Sequence, residues 1–344
     1  MATLRNFTRV LTPLMPLVLA GSLGSAVPAA AQSPSPAAPV PPVTASPVTA
    51  SPVTASPSSG DPHSAGAASP ASRSRTREPL RILLTNDDGY AFPFIQALRQ
   101  ALIAAGHEVT VVAPLTDSSG TGTAVNTRFG TTITARQESA GVWSVAGSPG
   151  DAVSFALQRV YGDAPPDLVV SGPNAGQNIA AVTNHSGTVG AAVMAIEKGV
   201  PAIAFSTAVD VTTSPPSFPS LRQSIAFAVK MIDRLRATAH DGELLPARTA
   251  LNVNYPTEPA GRVSFARLGT SSFVSTAYAP APDVCADCFR VLPVLSTAPD
   301  PVRDSDHNLL TAGHVTVTPL DGSWEALDPA VTARLKLRLR SLTP

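Results

Sequence analysis

From Leu80 onward, short continuously apolar runs alternate with stretches of helical length, and that alternation admits few folds. Leu80–Thr85, Glu108–Ala113, Asp167–Ser171, Pro201–Ser206 and Ala250–Asn254 read as strands. Between them Pro93–Ala105 (proline in its first turn), Asp151–Tyr161, Thr188–Lys198 (ended by Gly199) and Leu221–Arg236 read as helices. Runs that are apolar on both faces suit strands covered by helices on both sides, and a strand–helix–strand order gives right-handed parallel crossovers. The expected class is α/β: a mostly parallel sheet flanked by helices. Arg262–Leu268 and His314–Pro319 add a β-rich C-terminal extension.

Residues 1–77 have a different character. Arg5 and Arg9 precede an apolar run over Leu11–Leu23, and Ala29-Ala30-Ala31 supplies the small residues of an export-signal cleavage site before Gln32. A membrane-anchoring first helix is the other reading, but Pro13 and Pro16 interrupt the run, which is shorter than the roughly 20 residues of a span. Residues 32–77 hold ten prolines in 46 positions and repeat Ala-Ser-Pro-Val-Thr from Ala45 and Ala50, a composition that builds no core. The expected organisation is a signal peptide over 1–31, a disordered linker over 32–77 and a folded domain over 78–344. It places the mature protein outside the cytoplasm, secreted, periplasmic or wall-associated, without a stable membrane anchor.

The 24 basic and 24 acidic residues cancel, but residues 78–344 carry 19 basic against 23 acidic groups. Counterion release on a nucleic acid needs clustered cations, which this domain does not supply, so no nucleic-acid partner is expected. Small anionic substrates stay open, because one bound metal ion outweighs such a net charge locally.

Ligands of open parallel sheets bind beyond the carboxyl ends of the strands. Three turns there are polar: Thr85-Asn86-Asp87-Asp88-Gly89, Pro114-Leu115-Thr116-Asp117-Ser118-Ser119-Gly120, and Ser171-Gly172-Pro173-Asn174-Ala175-Gly176-Gln177-Asn178. Adjacent carboxylates repel, a cost that a divalent cation removes. With a hydroxyl from Ser119 and a side-chain carbonyl from Asn174, Asp87 and Asp88 form an all-oxygen donor set suited to one Mg²⁺ or Mn²⁺ ion. Alone, Asn-Asp-Asp-Gly reads first as a tight turn, and only the company of the other two loops favours the metal site. Ser186-Gly187-Thr188-Val189-Gly190 opens a helix rich in small residues, whose free amides can hold a phosphate or whose serine can simply cap it.

These strings together resemble the SurE family of survival-protein nucleotidases. The resemblance rests on Asn86-Asp87-Asp88-Gly89 after a strand, Val111-Val112-Ala113-Pro114 followed by Ser119-Gly120, and Gly147-Ser148-Pro149-Gly150-Asp151-Ala152-Val153. It continues through Val170–Gly176, Ser186–Val189 and Leu251–Pro256 to Val315–Leu320. It implies a Rossmann-like sheet and metal-dependent hydrolysis of nucleoside monophosphates. Asp87, Asp88, Ser119 and Asn174 would hold the metal, Ser186, Gly187 and Thr188 the phosphate, and Asn86 would support the cluster. It also implies an extended C-terminal arm that joins subunits into a homodimer or homotetramer. One departure is Leu115-Thr116-Asp117-Ser118, where many members are basic, and it bears on substrate preference.

The expected chemistry is attack of a metal-activated water on a small phosphomonoester, with Asp87 or Asp88 orienting the water. Two alternatives remain at this stage: an acid phosphatase working through an aspartyl-phosphate, whose carboxylates are spaced Asp-x-Asp rather than adjacent, and a non-catalytic extracellular nucleotide-binding protein. His185 could protonate a leaving oxygen or merely pack, and Asp306 reads as a structural contact. Cys285 and Cys288, the two cysteines, are expected to pair in an exported chain.

Overall fold

The computed structural model describes residues 78–324 and 329–340; the expected signal peptide and linker lie outside the described residues. The strands are β1 (Arg81–Thr85), β2 (Glu108–Pro114), β3 (Ala135–Ser139), β4 (Val142–Val145), β5 (Leu168–Ala175), β6 (Ala202–Thr207), β7 (Ala250–Tyr255), β8 (Val263–Phe265), β9 (Val274–Pro280), β10 (Phe289–Leu295) and β11 (Val315–Leu320). The helices are α1 (Pro93–Ala104), α2 (Pro149–Phe155), α3 (Gly187–Glu197), α4 (Leu221–Thr238), α5 (Asp306–Thr311) and α6 (Pro329–Arg338).

Nine strands form one sheet in the order β3-β4-β2-β1-β5-β6-β7-β11-β8. From β4 to β7 neighbouring strands run parallel, whereas β3 and β11 enter antiparallel to β4 and β7. Alternation along β1 shows why both faces need cover. Ile82 and Leu84 pack with Ile95, Leu98 and Leu102 of α1 and Ile232 of α4, while Leu83 on the opposite face packs among residues of α2 and α3. Each such large side chain contributes about 1.5–3 kcal/mol on burial. Helix α3 is buried at every position from Gly187 to Ile196, and its small residues let it lie close to the sheet.

Chain order reverses direction across β1 and β5, since β2 lies on one side of β1 and β5 and β6 follow on the other. Such a switch point opens a crevice at the carboxyl ends of the two strands. All three polar turns lie at this edge.

Strands β3 and β4 are absent from the sequence reading, and three further features differ from it. Strand β5 continues past Ser171 to Ala175, because one extra residue bulges out between the pairs Ser171–Ala204 and Asn174–Ser206. Helix α2 ends at Phe155 and passes into a π-helical segment over Ala156–Tyr161. The C-terminal extension does more than decorate: β11 and β8 join the main sheet, while β9 and β10 form a separate hairpin whose second strand is exposed throughout. Cys285 and Cys288 are disulfide-bonded at the hairpin tip, beside an ion pair between Asp283 and Arg290.

Candidate active site

The site begins with the turn that ends β1. Asn86 is fully buried, its amide nitrogen donating to the Gly89 carbonyl (3.0 Å) and its side-chain oxygen accepting from the Gly89 amide (3.2 Å). Gly89 holds φ +106°, a left-handed conformation that favours glycine. Both ends of the Asn86 side chain therefore serve the turn, and its part in the site is to hold the two carboxylates that follow.

The loop after β2 is fastened alongside. The Ser118 amide donates to the Asp87 carbonyl (2.7 Å), and the Tyr90 amide donates to the Pro114 carbonyl (2.9 Å). Ser119 is exposed, and its amide and hydroxyl both donate to Asp117 Oδ1, at 2.8 and 2.7 Å. On the other flank the β5 bulge delivers Asn174. A Cβ on Gly172 would lie 2.2 Å from the Phe205 carbonyl oxygen, so only glycine allows the bulge to pass that close to β6. The Asn174 amide nitrogen donates to the Gly176 carbonyl (2.7 Å), so its side-chain oxygen is the atom that could ligate a cation.

The start of α3 closes the crevice. Ser186 caps the helix by accepting from the Val189 amide at 3.1 Å. The Thr188 hydroxyl donates to Asp87 Oδ1 at 2.5 Å, and the Thr188 amide donates to the same carboxylate. A Cβ on Gly187 would lie 2.8 Å from Asp87 Cβ and 3.0 Å from Asp87 Oδ2, so the glycine is what lets the helix rest against the carboxylate. Of the three residues expected to receive phosphate, Ser186 and Thr188 thus have hydroxyls committed to the cap and to Asp87. The Gly187 amide, at the first helical position, has no intrahelical acceptor and faces the favourable end of the helix dipole.

Electrostatics mark the carboxylates as an unfinished arrangement. Burial raises the Asp87 pKa, partly offset by the hydrogen bonds from Thr188. Burial, followed by the charges of Asp87 and Asp117, pushes Asp88 up to about 7, against a smaller lowering effect of the Ala175 amide. Asp88 Oδ2 is buried and has no hydrogen-bond partner. Among the described residues no three His, Cys, Asp or Glu side chains cluster as a metal cage, so any ion here would combine two carboxylates with neutral oxygens. Two crowded carboxyls, an orphaned acidic oxygen and neutral donors on both flanks fit a hard divalent cation.

Asp117 is the site residue that sequence reasoning missed as a participant. It fixes Ser119 and adds negative charge to both aspartates, a role set by the fold of its loop and by no local motif. His185 is exposed, and its carbonyl accepts from the Gly122 amide (3.0 Å). Asp306 is fully buried and accepts from the amides of Ala180, Gly269 and His307, which makes it a structural anchor.

Fold and site together define a doubly wound α/β protein with an acidic oxygen-donor centre against a helix N-terminus at its switch point. The family model described as Survival protein SurE matches residues 82–275. The 5'-nucleotidase SurE 1 of Burkholderia lata is 34% identical over 262 residues, covering 75% of this chain and 96% of the relative. The 5'-nucleotidase SurE of Solidesulfovibrio magneticus is 35% identical over 264 residues, covering 76% and 98%. The crystal structure of the SurE protein from Aquifex aeolicus superposes with a TM-score of 0.60 at 26% identity, over 75% of this chain and 98% of that one. This chain belongs to the SurE family.

Proposed function

We propose that this chain is a metal-dependent nucleotidase that releases phosphate from nucleoside monophosphates. The observation that carries the reading is the buried Asp87–Asp88 pair against the glycine-opened N-terminus of α3, in a chain whose relatives bear the name 5'-nucleotidase. Asp87, Asp88, Ser119 and Asn174 would hold one divalent cation, Mg²⁺ or Mn²⁺. When bound there, such an ion supplies positive charge to phosphoryl oxygens and acidifies a water molecule.

The chain's own residues do the rest. Thr188 fixes the orientation of Asp87 through its hydroxyl. The Gly187 amide donates to a phosphoryl oxygen, where a preoriented backbone dipole stabilises developing charge without reorganisation. Asp88 Oδ2, lacking a partner of its own, accepts a hydrogen bond from the attacking water and orients it. Asp87 is poorly placed for covalent attack: Oδ1 takes the Thr188 hydroxyl and Oδ2 lies against Gly187, which disfavours the aspartyl-phosphate route.

The export signal, the linker and an extracytoplasmic location belong to the same proposal and are supported by residues 1–77 as read above. Assembly as a homodimer or homotetramer is supported by the β9–β10 hairpin, which exposes Phe289, Val291, Val294 and Leu295. The test is phosphate release by the purified chain from 5'- and 3'-nucleoside monophosphates and an aryl phosphate, with Mn²⁺ or with EDTA. Cation-dependent release from a nucleotide is expected. Nucleotide binding with no release under any condition would leave a binding protein and overturn the reading.

A further inference from the structure

The segment between β2 and β3 lies over the helix starts that build the site. A Cβ on Gly190 would meet the Gly122 carbonyl oxygen at 1.9 Å, one on Gly150 would meet the Ala124 oxygen and Val125 Cγ1 at 2.9 Å, and one on Gly147 would meet Ile133 Cδ1 at 2.7 Å. Three glycines at the starts of α2 and α3 thus form the trough in which residues 122–133 rest. Ser148 and Asp151 fasten it there: the Ser148 hydroxyl donates to the Ala124 carbonyl (2.5 Å) and the Asn126 amide donates to Asp151 Oδ1 (2.8 Å). Pro149, between those two anchors, abuts Gly187, whose Cβ position lies 3.0 Å from Pro149 Cγ.

Above these anchors rises a short apex tied to itself. Asn126 Oδ1 accepts from the Arg128 amide (3.0 Å), Asn126 Nδ2 donates to Thr131 Oγ1 (3.3 Å), and the Thr131 hydroxyl donates to the Arg128 carbonyl (2.7 Å). This bonded apex displays Phe129 with 97% of its surface exposed. Beside it stands Arg128, the one cation in residues 115–134. Phe129 is the most exposed large apolar side chain among the described residues, and the bonded turn fixes the backbone that carries it. The apex is anchored on α2, and the same segment packs at Gly122 against α3, the helix that begins at Gly187.

We propose that Phe129 is the platform on which the base of a nucleotide stacks while its phosphate lies at Gly187, with Arg128 adding positive charge at that rim. Any nucleobase presents a π-face, so such a platform binds purines and pyrimidines alike and discriminates against phosphate esters without an aromatic group. The assignment rests on the nucleotidase reading above, and it names what selects the substrate at that site.

The test compares wild-type chain, Phe129→Ala and Phe129→Trp on adenosine 5'-monophosphate and on ribose 5-phosphate, which has the same phosphate and sugar but no base. Loss of one stacking contact should lower kcat/KM for the nucleotide about tenfold or more, mainly through KM. Ribose 5-phosphate should be hydrolysed equally by all three, and tryptophan should restore the nucleotide rate. Equal rates for wild type and Phe129→Ala on the nucleotide would overturn the proposal. So would a parallel loss on both substrates, and if sedimentation then showed a changed oligomer, Phe129 would be a contact between copies. A wild-type chain that hydrolyses ribose 5-phosphate but not the nucleotide sinks the platform alone, whereas one that hydrolyses neither sinks the nucleotidase reading itself.

Discussion

Replacing Asp88 with asparagine is expected to change how the stability of the metal-stripped protein depends on pH. In the fold, burial and the neighbouring charges of Asp87 and Asp117 hold the Asp88 proton until about pH 7, whereas the unfolded chain releases it near 3.8. Between these values the native state binds more protons than the unfolded state, so stability falls as pH rises through the window and levels off above about 7. The full swing is about 4 kcal/mol, the 3.8-to-7 interval taken at about 1.4 kcal/mol per pH unit. Asparagine carries no titrating proton and escapes that decline. Relative to wild type, Asp88→Asn should therefore gain about 4 kcal/mol between pH 4 and pH 8, roughly 10 °C in relative melting temperature for a domain of this size. Thermal unfolding of both EDTA-dialysed proteins across that range measures it. A variant whose melting curve tracks wild type at every pH would refute the electrostatic account of the pair.

Other perturbations separate the roles of neighbouring residues. Gly187→Ala drives a methyl into Asp87 and Pro149, and should cost about 1–3 kcal/mol in denaturant unfolding. The same displacement of the α3 start should cost on the order of 100-fold in phosphate release. Asp306→Ala leaves the Ala180, Gly269 and His307 amides without their acceptor and should lower stability by at least ~3 kcal/mol in the same assay. Reducing the Cys285–Cys288 bond, which spans only three positions in sequence, should leave the main calorimetric transition in place. Its effect should be confined to faster amide exchange in the β9–β10 hairpin, whose strands form a sheet of their own.

Strands β1, β2, β5 and β6 were legible because their runs are largely apolar on both faces, and β7 because Leu251 and Val253 alternate with Asn252 and Asn254; helix ends such as Pro93 and Gly199 carry their own punctuation. Strands β3 and β4 were not, since Ala135–Ser139 is polar and exposed at nearly every position and is ordered only by pairing with β4 at the sheet edge. The exposed hairpin β9–β10 offers no inside–outside pattern to read. At the site, Asp87, Asp88, Gly187 and Asn174 stand out as residue types, but the division of labour among them is tertiary. That Thr188 bonds Asp87 is a contact across 101 residues, and that Asp117 contributes charge depends on the loop path after β2. The bulge that presents Asn174 depends on how closely Gly172 passes Phe205, which no local string announces.

The site assignment turns on whether the acidic turn after β1 takes up a hard cation. Manganese titrated calorimetrically into the metal-stripped chain, in buffers of different ionisation enthalpy, counts both ions bound and protons released. One ion per chain is expected, with release approaching one proton below about pH 7 as the Asp88 carboxyl ionises and vanishing well above it. Binding should be lost in Asp87→Asn and in Asp88→Asn. Uptake of manganese that is unchanged in both variants, or no uptake by the wild-type chain, would contradict the assignment.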